Sequence, residues 1–547
     1  MSSSLSNIAL TGLNAAQNAL NSVASNISNV YVNGYNRQTT QLAEMGSNGS
    51  TGTGVMVSGV TRAYDALVMG QLRNAATTYA ATSSYSDQIS QINSMLASTD
   101  GSLSTSMSTF FSSLQSLSSN AGDSAARQTV IGSAQSLVNQ FKSNDTYLRN
   151  MDDAVNQQLS SSADQINNYA KQIANLNDQI VRQGKGGATN AMLDQRDQLV
   201  SELNTMVGVS TTQQADNSLT VTFANGLTLV QGGTASQIKA VASQADPSRT
   251  VLAYDNGTGS PAEINEKTLT TGSVGGLLTF RSGTLDDARN QLGQIALALA
   301  GSFNQQHAAG VDLSGAAGEA FFNYGQPDIT TNTKNTGQAE LSVAFTDTSA
   351  VKAGSYNVKY TDDGWQVTRA SDGTSVDFKT TDNDKGEPVL SFEGLAMTVS
   401  GTPEANDKFT VNPVTNAIAG MSVAITDPAK IAAGQAGAES GASDNRNAQA
   451  LLALQTSKVV GGNATLSSAF ASLVSAIGTK TSNAAVTATS QSNIVDQLTT
   501  KQQSISGVNL DEEYADLQRY QQYYQANAQV LNTAGKLFDT ILSSLGN

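Results

Sequence analysis

A chain of 547 residues is too long for one hydrophobic core, and at ~150 residues per domain it suggests three or four domains. Its 44 acidic and 29 basic residues leave a net charge of −15, which argues against a nucleic-acid partner and offers no polybasic handle for an anionic membrane. With no cysteine and one histidine, His307, the chain excludes disulfides, thiolate nucleophiles, thiolate metal sites and His-cluster metal sites.

No run reaches the ~20 apolar residues that span a membrane. The N-terminus is a poor secretory signal, because the first charged residue is Arg37 and Ser, Asn, Thr and Gln break every apolar stretch. The chain therefore stays in the cytoplasm or leaves by a route that reads no such signal. Only 13% of residues are charged, which suits a surface that packs against copies of itself and equally a low-charge secreted monomer.

In chain order, Ala9, Leu13, Ala16, Leu20, Val23 and Ile27 alternate by four and three, a coiled-coil stripe that is predicted to stop at Ser25–Asn29 before a turn at Asn33-Gly34. From 125 to 183 a long helix carries Val130, Ala134, Leu137, Phe141, Leu148 and Val155, then Leu159, Ile166, Ile173 and Ile180 after a small shift of the stripe. Gly184-Lys-Gly-Gly187 reads as a flexible connection to a second helix at 190–205. The period then changes. Leu219–Phe223 and Leu227–Val230 flank Asn225-Gly226, a hairpin signal. Residues 285–306 read as an amphipathic helix with Leu292, Ile295, Leu299 and Phe303 on one face. Residues 339–413 read as all-β, with turns at Asp362–Gly364, Asp372-Gly373 and Asn383–Gly386. Helical spacing returns with Phe470, Ile477, Ala484, Leu498 and Ile505, where Gln491 is a polar gap. A last helix is predicted over 508–545. Leu510, Leu517, Tyr524, Leu531, Phe538 and Leu545 recur every seven residues, with Tyr514, Ala528 and Leu542 four beyond members of that series. Asp511 and two glutamates in its first turn complement the helix dipole.

The expected fold is α+β and multidomain, with terminal coiled-coil helices, a long-helix bundle and inserted mainly-β domains. The nesting assigns 1–40 with 505–547 to the terminal coiled coil and 41–206 with 441–504 to the bundle. It assigns 207–338 with 414–440 to a mixed β/α domain and 339–413 to an inserted β domain. Both termini must then meet at one end of a long molecule.

Catalytic constellations are scarce. His307, at the end of Asn304-Gln-Gln-His307, reads as a helix C-terminal cap. Gly184–Gly187 lacks the rest of a phosphate loop. Asp312–Glu319 resembles a calcium loop only loosely and reads as a turn. Tyr514, Tyr520, Tyr523 and Tyr524, with only Arg519 beside them, read as helix packing and not as a base-stacking platform. No catalytic, cofactor or metal site is expected.

Ser25-Asn26-Ile27-Ser28-Asn29 followed by Gly34-Tyr35 resembles the signature shared by flagellar rod, hook and hook-associated proteins, and Gly12–Gln17 fits the same pattern. Ser506–Tyr514, 525–531, Leu193–Asp197, Gly275–Arg281 and Asp444–Ala448 resemble the hook-associated protein 1 family more narrowly. The resemblance implies a secreted structural subunit of the extracellular bacterial flagellum, in a ring of its own copies between hook and filament. Hook protein and hook-associated protein 3 would be its neighbours. It implies export, unfolded, through the flagellar type III apparatus, and an export chaperone on the C-terminal helix. It also implies ends that are disordered until assembly pairs them as a coiled coil lining a central channel. The residues expected to carry that pairing are Leu13, Leu20, Val23 and Ile27 at one end and Leu510, Tyr514, Leu517, Tyr524, Leu531, Phe538 and Leu542 at the other. A rod or hook protein, a flagellin, a secreted adhesin and a peptidoglycan hydrolase are the rival readings; length with the central and C-terminal motifs, the Ser25–Asn29 signature, the terminal heptads and scarce acid–base groups speak against them in turn.

Overall fold

The computed structural model describes residues 2–45, 54–98, 102–183, 189–257, 259–437 and 441–545. The chain opens with α1 (Ser2–Ser28), returns through an antiparallel hairpin of β1 (Gln38–Glu44) and β2 (Val55–Arg62), and enters the body. There α2 (Ala66–Leu96), α3 (Leu103–Ser119), α4 (Ser124–Gln183) and α5 (Asn190–Met206) follow in succession. To the predicted elements the structure adds α2, α3 and the hairpin. In α3 the Ser and Thr hydroxyls return hydrogen bonds to carbonyls four residues back, as Thr109 does to Thr105 and Ser112 to Ser108. Such residues lower helix propensity, yet α3 is held by a Ser102 N-cap and by burial of Phe110, Phe111, Leu114 and Leu117.

The 60 residues of α4 form a strut about 90 Å long at ~1.5 Å per residue. Its buried face carries the predicted stripe from Val130 to Ile180. Three asparagines about three turns apart use that strut to seat β structure. The Asn177 amide donates to Leu219 O (2.8 Å) and Gly232 O (3.0 Å) and accepts from Leu219 N (3.0 Å). Asn167 brackets Ile238 in the same way, donating at 2.7 Å and accepting at 2.8 Å, and Asn156 Oδ1 accepts from Thr250 N at 2.9 Å. Each amide satisfies backbone groups that would otherwise be buried without partners.

The seated strands form a four-stranded meander running from Val209 to Ala235 and a three-stranded sheet of Gln237–Ala242, Thr250–Asp255 and Ala262–Glu263. The predicted hairpin turn is present, with positive φ at Ala224, Asn225 and Gly226. Next come α6 (Gly272–Phe280), a π turn at Arg281–Leu285 and α7 (Asp286–Ala308). The expected amphipathic helix departs from prediction here. Leu292, Ile295 to Ala300 and Phe303 are all buried, because the middle of α7, residues 295–303, is enclosed by the body and the inserted module. One continuous core joins the helical bundle to the two small sheets.

The inserted module pairs two four-stranded antiparallel sheets. One has the order Asp328–Thr331, Lys408–Asn412, Tyr356–Thr361, Gly364–Arg369. The other has the order Glu340–Phe345, Leu395–Ser400, Pro388–Phe392, Lys379–Asp382. Alternating residues such as Val358, Val367, Leu390, Met397 and Val411 close a second core, which meets the body at Leu297 of α7. The chain returns through α8 (Arg446–Ala453) and α9 (Leu466–Ser506), which packs along α2, to α10 (Leu510–Leu545), which packs along α1.

Candidate assembly site at the paired termini

α1 and α10 run antiparallel, with Asn26 against Glu513 and Gly12 against Asn527. The buried face of α1 is Ala9, Gly12, Ala16, Ala19, Val23 and Asn26, spaced alternately by three and four. A β-carbon at Gly12 would lie 2.3 Å from Asn527 Oδ1, so glycine permits the helices to approach there. On α10 the facing residues are Leu510, Glu513, Leu517, Tyr520, Asn527, Leu531 and Ala534, of which Glu513 and Ala534 are buried and the others half-buried.

This seam differs in part from the predicted one. Ala9, Ala16 and Val23 are in it, whereas Leu13, Leu20 and Ile27 flank it, half-buried. Leu510, Leu517 and Leu531 face α1, while Tyr514, Tyr524, Phe538 and Leu542 are exposed. The side chain of Leu545 lies outside the described residues. Small side chains of α1 set the close contact between the two helices, so its bulky apolar residues flank the seam, whereas Phe538 and Leu542 of α10 lie past the start of α1. Together with Leu5, Ile8 and Leu10 of α1, and Tyr523, Val530, Leu537 and Ile541 of α10, they leave an exposed apolar surface on the pair. Apolar surface of that extent marks an interaction site.

The Ser25–Asn29 motif holds the last turn of α1, which ends at Ser28 within the predicted stop, and it ties the pair to the body. The Asn26 amide is buried and fully bonded. Nδ2 donates to Gln38 O and Glu513 Oε2, both at 2.9 Å, and Oδ1 accepts from Tyr35 OH (2.8 Å) and Gln38 N (2.9 Å). Asn29 donates to Ser25 O at 2.8 Å, and Ser25 Oγ accepts from Tyr35 OH at 3.4 Å. Gly34 sits at φ +81°, where a β-carbon would also crowd Gln198. Arg37 Nε donates to Glu513 Oε1 at 2.7 Å, with Glu512 and Asp516 at 3.3 and 3.5 Å. Burial disfavours the Arg37 charge, but these carboxylates outweigh it and raise its pKa. Burial, then Asp194 and Glu513, raise the Tyr35 phenol as well, so it remains a proton donor.

Behind this network lies the Leu193–Asp197 motif of α5. Asp194 accepts from Asn36 Nδ2 (2.6 Å), Asn36 N (3.2 Å) and Arg62 (2.9 Å), and Arg62 also meets Asp197 at 2.7 Å while stacking 4.3 Å over the Tyr64 ring. Arg196 points the other way and donates to Asn217 O at 2.7 Å. One turn of α5 thus links the terminal hairpin to the first sheet. The motif was visible in sequence, but its ionic role was not, because Arg62 lies far upstream.

The remaining candidates have structural places. His307 is no cap. Its Nε2 accepts from Ala432 N (2.9 Å), so Nδ1 carries the proton and donates to Glu319 O (2.7 Å), and the ring packs on Phe303 and Phe321. Asp312 Oδ1 accepts from Ser314 N, Ser314 Oγ and Ala316 N, closing a turn. Tyr520 and Tyr523 meet edge to face on α10. Gly184–Gly187 lies outside the described residues. Among the described residues no group of three or more His, Asp and Glu could hold a metal ion, and no helix is long and apolar enough to cross a membrane.

A paired terminal coiled coil with an exposed apolar surface, tied by a polar network to a helical body that carries a β module, defines a structural protein. The model of the flagellar hook-associated protein FlgK helical domain matches residues 89–322, and that of the flagellar hook-associated protein 1 D2-like domain matches 330–413. The flagellar basal body rod FlgEFG protein C-terminal model matches 501–544. Flagellar hook-associated protein 1 of Escherichia coli K12 is 53% identical over 549 residues, covering 99% of this chain and 100% of that one. The Salmonella typhimurium LT2 protein of the same name is 51% identical over 554 residues, with the same coverage. The solved flagellar hook junction protein FlgK from Burkholderia pseudomallei superposes with a TM-score of 0.74 at 29% identity, over 80% of this chain and 100% of that one. The chain belongs to the flagellar hook-associated protein 1 family and is a structural protein of the flagellum.

Proposed function

We propose that the chain forms the junction between hook and filament, acts without catalysis, and assembles through the outward faces of α1 and α10. The observation that carries this reading is the exposed apolar stripe of Tyr523, Val530, Leu537 and Ile541 beside the paired face of α10, with Phe538 and Leu542 continuing that face past the start of α1. Copies of the chain in a ring cover that stripe. Hook protein lies on one side of the ring and hook-associated protein 3 on the other. Export runs through the flagellar type III apparatus to an extracellular site, with the C-terminal helix held by an export chaperone beforehand. The four-part division of the chain fits this polarity, with 1–40 and 505–547 inward and the β insert outermost. We place the insert's edges at Asp328 and Asn412, which pair across its first sheet.

Antibody against the chain should label one band at the hook tip of purified flagella. Label along the filament, or none on flagella, would overturn the junction assignment.

A further inference from the structure

The α1–α10 seam repeats itself. Ala9, Ala16 and Val23 recur at seven-residue steps, as do Gly12 and Ala19, and all are small. Small side chains give contact but little shape. Sliding α10 by one heptad, about 10 Å, would exchange one small contact for another on the α1 side of the seam, with the approach of Asn527 to Gly12 as the exception. Helix propensity and burial alone therefore leave the axial position of α10 poorly specified.

One buried polar cluster breaks the repeat. Asn26 and Glu513 are each about 1% exposed, and nothing seven residues away on either helix can replace them. A slip in one direction sets Glu513 against Ala19; a slip in the other sets Tyr520 against Asn26. Either leaves a buried carboxylate and a buried amide without their partners. The cluster is also anchored to the body. Asn26 holds the Gln38 backbone from both sides, and Arg37 N donates to Ser506 O (2.8 Å) at the end of α9.

We propose that Asn26, Glu513 and Arg37 form a register lock, which selects one axial position of α10 on α1 from positions that the small-residue seam, Gly12 apart, distinguishes poorly. These are positioning residues. They act on where the outward face of α10 stands relative to the body. The lock concerns the chain's own fold and holds whether or not the junction assignment does.

The chain has no cysteine, so introduced pairs report without background. Interpolating between the two observed contacts sets Ala16 level with residue 523, next to Tyr524, which shares the face of Leu517 and Leu531 by its seven-residue spacing. Three full-length chains carry Ala16→Cys with Tyr524→Cys, with Leu517→Cys or with Leu531→Cys; the last two report slips of one heptad each way. Cross-linking under mild oxidation is measured on isolated flagella and on the secreted chain. With the lock intact, the 16/524 pair should close at least tenfold faster than either slip pair. Adding Asn26→Ala should bring at least one slip pair to within a few-fold of it. Glu513→Gln, which keeps the shape and loses the ion pair, should lie between. Slip pairs that close readily with the lock intact would overturn the proposal, as would an unchanged pattern in Asn26→Ala. Loss of all three cross-links in Asn26→Ala would also overturn it, because the cluster would then serve stability and not register. A chain absent from flagella with its lock intact counts against the junction assignment, and the secreted chain still decides the lock.

Discussion

His307 shows how a lone titratable residue can serve structure alone. Its ring bridges a helix end to two loop segments, donating to one carbonyl and accepting from one amide. Burial, the largest influence, lowers its pKa below the usual ~6.5. The folded state therefore holds the neutral ring. The stability it contributes is fully present above ~6.5 and is lost as pH falls through the lowered folded value. Urea midpoints should drop between pH 7.5 and pH 5, and His307→Ala should lessen that drop. The variant should also lose about 1–3 kcal/mol at pH 7.5, because the Ala432 amide and Glu319 carbonyl remain buried without partners. Motility should survive at moderate temperature; loss of motility with normal assembly would assign His307 a role beyond packing. Sequence placed the residue at a helix end correctly, but its partners lie on loops that no local pattern announces.

Among the elements, legibility followed the kind of side chain that does the packing. The stripe of α4 was readable because large aliphatic residues recur along it, and the C-terminal heptad for the same reason. The seam of α1 was only half readable. Its close contact selects Ala and Gly, which a search for leucines overlooks, and Glu513 enters it as a charged residue. The β1–β2 hairpin is not announced by its sequence because β1 is largely polar and neither strand buries a continuous apolar face. This bears on how α10 should be tested. Leu517 and Leu531 face the chain's own α1, so Leu517→Asp disturbs the helix pair itself. Phe538→Asp and Leu542→Asp alter exposed positions. The latter two should leave the melting curve of the chain within about 0.5 kcal/mol of the parent, yet prevent incorporation at the hook tip. Secreted and incorporated protein are measured separately. Normal junctions from both variants would show that the outward stripe is not an assembly face. Asn177→Ala should destabilise the body by about 1–3 kcal/mol in urea unfolding, since it removes the amide that seats the first sheet on α4.

At the scale of the molecule, the insert leaves and rejoins the body at one place. Asp328 and Asn412 are neighbours on adjacent strands, so a link of a few residues can replace everything between them. That deletion should leave the helical circular dichroism and a cooperative melt of the body in place, at a modestly lower temperature because Leu297 becomes exposed. Loss of the cooperative melt would mean that the two cores fold as one. The nesting of the remaining elements bears on how the chain is made. Asn26 and its partner Glu513 are 487 residues apart in sequence. A ribosome adding ~5–20 residues per second needs about 25–100 seconds to cover that interval. Throughout it the first helix has no seam to enter, and its small residues cannot hold a helix alone. The earliest part of the polypeptide to emerge is therefore the last to find its native contact, and it remains accessible to cytoplasmic factors until translation is nearly complete.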